Sequence, residues 1–155
     1  VVRVSGGAQV RLIPPLVYLA PFTLTWALQW WRPWTIPGDA ALSVAGLALV
    51  AGGIALMAWS FVTLRQANTT VIPWEQVSAI VTTGPFRFSR NPIYLADAIT
   101  YLGGSLAIHS GWPLLVLPGI LLVIRRKVID REERYLTELF GDPYRKYQLR
   151  VRRWA

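Results

Sequence analysis

The chain of 155 residues contains no cysteine and a single histidine. The first absence excludes disulfides, thiolate metal sites and a cysteine nucleophile. The second leaves too few imidazoles for a histidine-based metal cluster, so no metal is expected. Charge is scarce as well. Only 15% of residues are Asp, Glu, Lys or Arg, where soluble domains carry about a quarter. No Gly-x-Gly-x-x-Gly, phosphate-binding loop or Gly-x-Ser-x-Gly motif occurs, and no tandem repeat or low-complexity tract is visible. The best-known nucleotide and serine-hydrolase signatures are therefore missing.

What the chain has instead is grease, tryptophan and positive charge. It is 54% hydrophobic, with eight Trp and a formal net charge of +8. The basic residues crowd just outside the apolar runs, which suits an anionic membrane surface better than a nucleic acid. No nucleic-acid partner is expected; the basic tail Arg145 to Arg153 would bind phosphates only non-specifically. The chain begins Val-Val-Arg rather than with Met, so a short leader is expected to precede it. No cleavable signal peptide is expected, because the first apolar run follows Arg11 and leads into Trp rather than small residues.

Four apolar runs follow. Residues 12–30 and 40–64 carry no charge at all, and the second is long enough to cross the roughly 30 Å hydrocarbon core. The first contains Pro14, Pro15 and Pro21, which bilayer helices tolerate, and ends in the interface-like cluster "WALQWWRPW". The pairs Ala48/Gly52 and Ala51/Ala55 would let another helix approach the second run closely. Residues 93–110 form a third run, interrupted by Asp97, and "HSGWP" a tight turn. Residues 112–126 form a fourth, with the helix continuing into "RRKVIDREERYLTELF". If both termini and the 65–91 loop share one side, every one of the 16 Lys and Arg except Arg32 lies there. The positive-inside rule expects that of four spans with both ends cytoplasmic. The expected fold is an all-α integral membrane bundle of about four transmembrane helices, a single domain over 1–155. Cytoplasmic elements fall at 84–97 and 127–154, and the plasma (inner) membrane is the expected location. A soluble bundle with unusually apolar helices is the less favoured alternative.

The chemistry concentrates in two stretches. In "GPFRFSRNPIYLAD" (84–97), Asn91 can cap a helix and Pro92 suits its first position. The free N–H groups there, with Arg87 and Arg90 nearby, make an anion site. Arg87 reads first as an ordinary positive-inside anchor; Arg90 reads equally as anchor or ligand. Asp97, inside the run, is either functional or the salt-bridge partner of Arg90 or Arg87, the ion pair being preferred. In "VIDREERYLTELFGDPYRKY" (128–147), Ile129, Leu136 and Phe140 share a helical face that Glu132 or Glu133 must border. The alternative is a solvated acidic pair balanced by Arg131 and Arg134. Gly141 stops that helix and Asp142-Pro143 starts another, on which Tyr144, Tyr147 and Val151 form one face. Cations on one wall and carboxylates on another suit a zwitterionic ligand.

Together, "TGPFRFSRNPIYLAD" and "VIDREERYLTELFGDPYRKYQLRVRRW" resemble the isoprenylcysteine carboxyl methyltransferase and phospholipid methyltransferase superfamily, over about residues 62 to 154. The resemblance implies a small membrane enzyme that uses S-adenosylmethionine at the cytoplasmic face, with Glu133 and Arg90 in catalytic roles. It implies that Arg90, Asn91, Pro92 and Tyr94 form the cofactor-binding helix start, with Gly103 further along that helix. Glu132 and Glu133 match the family's acidic pair, and Tyr144 and Tyr147 its tail tyrosines. Asn91 stands where many relatives have His, and Ala96 where many have Gly. The implied partners are membrane lipids and a lipophilic or small-molecule methyl acceptor. An NADPH-dependent membrane reductase of sterol-reductase type, which shares a similar Arg-His-Pro-x-Tyr segment, and a non-enzymatic membrane scaffold are the alternatives.

Overall fold

The computed structural model describes residues 13–69 and 77–154. The expected first-span residue Leu12, the N-terminal arginines Arg3 and Arg11, and most of the "ANTTVIPWEQ" loop lie outside these residues. Every extended element among the described residues is helical: α1 Pro14–Trp31, α2 Ala40–Gln66, a short 3-10 turn Gly84–Arg87, α3 Pro92–Ala107, α4 Gly111–Ile124, α5 Asp130–Phe140 and α6 Asp142–Arg150.

α2 is the one described helix long and apolar enough to cross a membrane. Asp39 caps it, its carboxylate accepting from the Ala41 N–H at 3.0 Å. α1, α3 and α4 occupy the other three expected runs. α1 is diluted by Thr, Gln and Pro, while α3 and α4 are only 16 and 14 residues long. α3 stops at Ala107, not Ser110, because His109 takes a left-handed φ of 51°. That turn is tied to the α1–α2 linker: the Ile36 N–H donates to the His109 carbonyl and the Gly111 N–H to the Trp34 carbonyl. Trp112 Nε1 donates to the Arg32 carbonyl at 2.7 Å. Trp26, Trp30, Trp31 and Trp34 are all exposed at this end, as an aromatic belt requires.

α2 and α3 share the most extensive helix contact. Its seam corrects the expectation drawn from Ala48/Gly52 and Ala51/Ala55. Those residues face outward, and Gly52 opens onto empty space. The contact face is instead Gly46 and Gly53, seven residues apart, set against Gly103 and Ala107 and against Ala96 and Thr100 of α3. A Cβ on Gly46 would lie 2.5 Å from the Ala107 nitrogen, so no side chain fits there. On its other face α3 presents Tyr94 and Tyr101 to α1, where Tyr101 meets Phe22 edge-on with ring centroids 5.2 Å apart.

α4 does not end where the apolar run ends. A π-helical stretch, Arg125–Ile129, carries it without a break into α5. Val128 and Ile129 within it are fully buried, while Arg125, Arg126 and Lys127 stay exposed. One extra residue in a helix rotates everything after it. Beyond it Glu133 and Tyr135 are both buried, and Glu132 accepts from the Tyr94 hydroxyl of α3. Gly141, at φ 62°, then closes α5 and lets the chain fold back as α6.

Candidate functional site

The start of α3, the inner face of α5 and the buried face of α6 enclose a cavity. Its polar wall holds Arg90, Asn91, Tyr94, Glu132, Glu133, Tyr144 and Tyr147; Leu64, Val81, Phe86, Ile93 and Leu136 supply much of the apolar wall. With Pro92 also on the lining, eight residues expected from the sequence meet at one place, although they come from segments some 40 to 55 positions apart. Gly103 is not among them. It packs on Gly46 and Val50, where α2 and α3 touch. Ala96 is fully buried on that same side, so the position where relatives have Gly belongs to the seam.

The two glutamates occupy different environments. Glu133 is buried and neutralised from both sides. Arg153 grips it twice, Nη2 to Oε2 at 2.6 Å and Nε to Oε1 at 3.2 Å, and Arg90 Nη2 lies 3.4 Å from Oε1. Arg153 also pairs with Asp130 at 3.0 Å. Its hydrogen bonds to Glu133 raise its pKa above the ordinary guanidinium value. Glu132 has no cation partner among the described residues. It accepts one hydrogen bond, from the Tyr94 hydroxyl at 2.8 Å. Burial pushes its carboxyl up to about 7; the Tyr94 bond opposes the shift and the Glu133 charge adds to it. The acidic pair is thus not a solvated surface feature: Glu133 has Arg90 and Arg153 as counter-charges, and Arg134 donates instead to the Asp130 carbonyl.

The chain's last residues close the corner. Ser89 pairs with Arg152 as an isolated parallel bridge, and the Arg90 N–H donates to the Arg152 carbonyl at 2.9 Å. Asn91 was expected to cap α3. Its side chain turns away instead, Nδ2 donating to the Arg153 carbonyl at 2.9 Å. No described residue takes up the first helical N–H groups, those of Ile93 and Tyr94, so the positive end of α3 stays open beside the cavity. The Tyr147 hydroxyl donates to the Phe86 carbonyl at 2.6 Å, fixing α6 under the 3-10 turn. Burial pushes Tyr147 up to about 12, with Arg90 opposing, and raises Tyr144 further, so both stay neutral hydrogen-bonding groups.

Asp97 departs from expectation. Arg90 turns to Glu133, and the exposed Arg87 lies over the Phe88 ring at 4.5 Å. Asp97 forms no ion pair among the described residues. Sequence reasoning missed Arg153 and Tyr135. Arg153 lay within a basic tail, and nothing in "RVRRW" marks which arginine turns inward. Tyr135 lines the cavity, three residues beyond Glu132 and so on the same face of α5.

A family model described as phospholipid methyltransferase matches residues 42–143, which include α2 through α5. An uncharacterized protein of Haemophilus influenzae is 46% identical over 54 residues, covering 35% of this chain and 76% of that protein. No solved structure matches.

Proposed function

The chain belongs to the phospholipid methyltransferase family, and from that premise we propose that it transfers methyl groups from S-adenosylmethionine to a lipophilic or small membrane-accessible acceptor. The observation that carries this reading is the single cavity where Arg90, the open end of α3, Glu132 and the buried tyrosines meet. S-adenosylmethionine presents an ammonium, a carboxylate and a sulfonium. Glu132, which has no cation partner among the described residues, suits the ammonium. The α3 N–H groups and Arg90 suit the carboxylate. The Arg90 Nε and the Tyr135 hydroxyl are both buried with no hydrogen-bond partner among the described residues. Two unmet donors beside the cavity fit a ligand rich in oxygen acceptors.

When bound, the cofactor supplies a methyl group activated by its sulfonium charge. The chain's residues do the rest. Glu132 and Arg90 fix the two ends of the amino-acid moiety, so that reacting atoms need not search for alignment. The apolar wall of Leu64, Val81, Phe86 and Leu136 keeps the pocket dry, which favours a reaction in which charge disappears. Glu133, held by two guanidiniums, anchors Arg90 rather than the ligand. A carboxylate or thiolate acceptor needs no base. An amine acceptor would give its proton to water, because Glu132 is committed to the cofactor's ammonium. We place the bundle across the plasma (inner) membrane with four spans and both termini cytoplasmic, so that an oily acceptor enters from the side between α3 and α4.

The test is calorimetric titration of the purified protein in lipid nanodiscs. S-adenosylmethionine should bind, NADPH should not displace it, and Glu132→Ala should weaken binding by about tenfold, as losing one charge-assisted contact implies. Tight NADPH binding with no S-adenosylmethionine binding would move the chain to the reductase reading. Binding of neither would leave it a scaffold.

A further inference from the structure

The site accounts for the inner face of α6 and leaves its outer face unexplained. Tyr144 and Tyr147 are buried, but Arg145, Lys146, Leu149 and Arg150 face outward, and Arg152 follows them. Leu149 is 88% exposed, more than any other large apolar side chain described. Arg145 and Lys146 lie four and three residues before it, one helical turn away, and Arg150 follows directly. Among the described residues the one carboxylate paired with this cluster is Asp142, at 3.4 Å from Arg145, and both groups are well exposed. Phe88, 57% exposed, carries the Arg87 guanidinium on its ring, and the chain next to it is bridged to Arg152. The result is two apolar side chains set among five cations.

We propose that α6 and residues 87–89 form a lipid-facing surface that lies on an anionic leaflet, with Leu149 and Phe88 dipping below the headgroups and the arginines pairing with lipid phosphates. Three observations select this occupant. The charge is complementary, each Lys or Arg near such a surface contributing on the order of 1 kcal/mol. The depth is right: the bridge between Ser89 and Arg152 holds the end of α6 three residues before Pro92, where α3 begins. The apolar content also decides. A leucine offers nothing to a phosphate backbone in water, whereas it partitions readily into the acyl boundary, as in amphipathic surface helices.

The surface is wired to the site. Leu149 leads within four residues to Arg153, which holds Glu133, and to the carbonyls that hold Arg90 and Asn91. Seating α6 on lipid therefore steadies the corner where the cofactor is proposed to bind. This coupling rests on the methyltransferase reading; the seating itself does not.

The chain has no cysteine, so Leu149→Cys carries a nitroxide label at one position. Its depth is read from collision with oxygen against a water-soluble nickel chelate, in bilayers of zwitterionic lipid alone and with anionic lipid added. The expected result is a label shielded from nickel when anionic lipid is present and exposed when it is absent. Combining the label with Arg145→Gln, Lys146→Gln and Arg150→Gln should abolish that difference while leaving the cavity residues intact. A label in water under both conditions overturns the proposal, as does immersion that ignores lipid charge. A label immobilised instead by an added oligonucleotide or acidic protein would assign the surface to that partner and also overturn it. Because the readout needs no cofactor, a failure here leaves the methyltransferase reading standing, and a failure to bind S-adenosylmethionine leaves this one standing.

Discussion

α3 is held by two opposite means. Along its length it meets α2 through glycines and alanines, with no charge at the seam and no room for a Cβ at Gly46 or Gly103. At its N-terminal end it meets α5 and residues 152–153 through paired charges: the buried Arg90 and Glu133, with the half-buried Arg153 and Asp130. The seam depends on dispersion, which demands close approach and is the usual cohesion between helices in lipid. The corner depends on charges that are tolerable only while each is paired. A seam of the first kind serves as scaffold. A corner of the second kind can also exchange partners with a charged ligand, and the cavity opens there.

The largest effect expected follows from unpairing the corner. Glu133→Ala leaves the buried Arg90 guanidinium without its carboxylate, while the partly exposed Arg153 keeps Asp130; unpairing a buried charge costs about 3–5 kcal/mol. Unfolding of the detergent-solubilised protein should show this as a large loss of stability. Glu133→Gln, which keeps the shape and loses the charge, should recover only part of it. If Glu133→Ala were as stable as wild type, the corner would not be held by charge, and the contrast with the seam would fail.

The seam should respond less, and in a position-specific way. Gly103→Val places a side chain about 2.6 Å from the Gly46 carbonyl oxygen, an overpacking that costs about 1–3 kcal/mol. Gly52→Val, on the same helix pair but with nothing within 4 Å, should stay within about 0.5 kcal/mol. Equal effects at the two positions would show that glycine is needed in these helices for backbone reasons and not for approach. Neither change touches the cavity lining, so cofactor affinity per folded molecule should be unaltered.

Much of the corner was legible and much of the seam was not, for a physical reason. Arg90, Glu132 and Glu133 stand out because charge is conspicuous beside apolar runs, the tail tyrosines are singled out by the family resemblance rather than by their spacing, and the turn residues Gly84, Asn91-Pro92 and Gly141 mark where helices start and stop. Which glutamate stays without a cation partner could not be read. That depends on Arg153, twenty positions away, folding back along Ser89, and on the π-helical stretch that rotates α5. The seam offered two candidate stripes on α2, and spacing alone cannot say which faces a neighbour: Ala48/Gly52 fits a helix contact as well as Gly46/Gly53 does. Asn91 shows a third limit. Its residue type is right for a cap, but a tertiary carbonyl, that of Arg153, competes for its side chain and wins.

The finest distinction lies between the two adjacent carboxylates. Glu132 is pushed up to about 7, so in the free protein it is half protonated near neutrality. Its folded value lies above its unfolded one, so the folded state binds more protons between about 4.5 and 7. Stability should therefore fall as pH rises through that window, because the buried carboxylate must ionise there. Cofactor binding should move the other way. An ammonium ligand needs the ionised carboxylate, so S-adenosylmethionine affinity should rise through about 7 and then level off, by up to about tenfold per unit below the midpoint. Glu132→Gln should flatten both profiles, leaving weak affinity with no such pH dependence in calorimetric titrations. Glu133→Gln should keep the pH dependence but move its midpoint below that of wild type, because the Glu133 charge adds to the rise in Glu132. If the midpoint followed Glu133 rather than Glu132, the two glutamates would have exchanged roles, and the ligand, on binding, would have to displace Arg153.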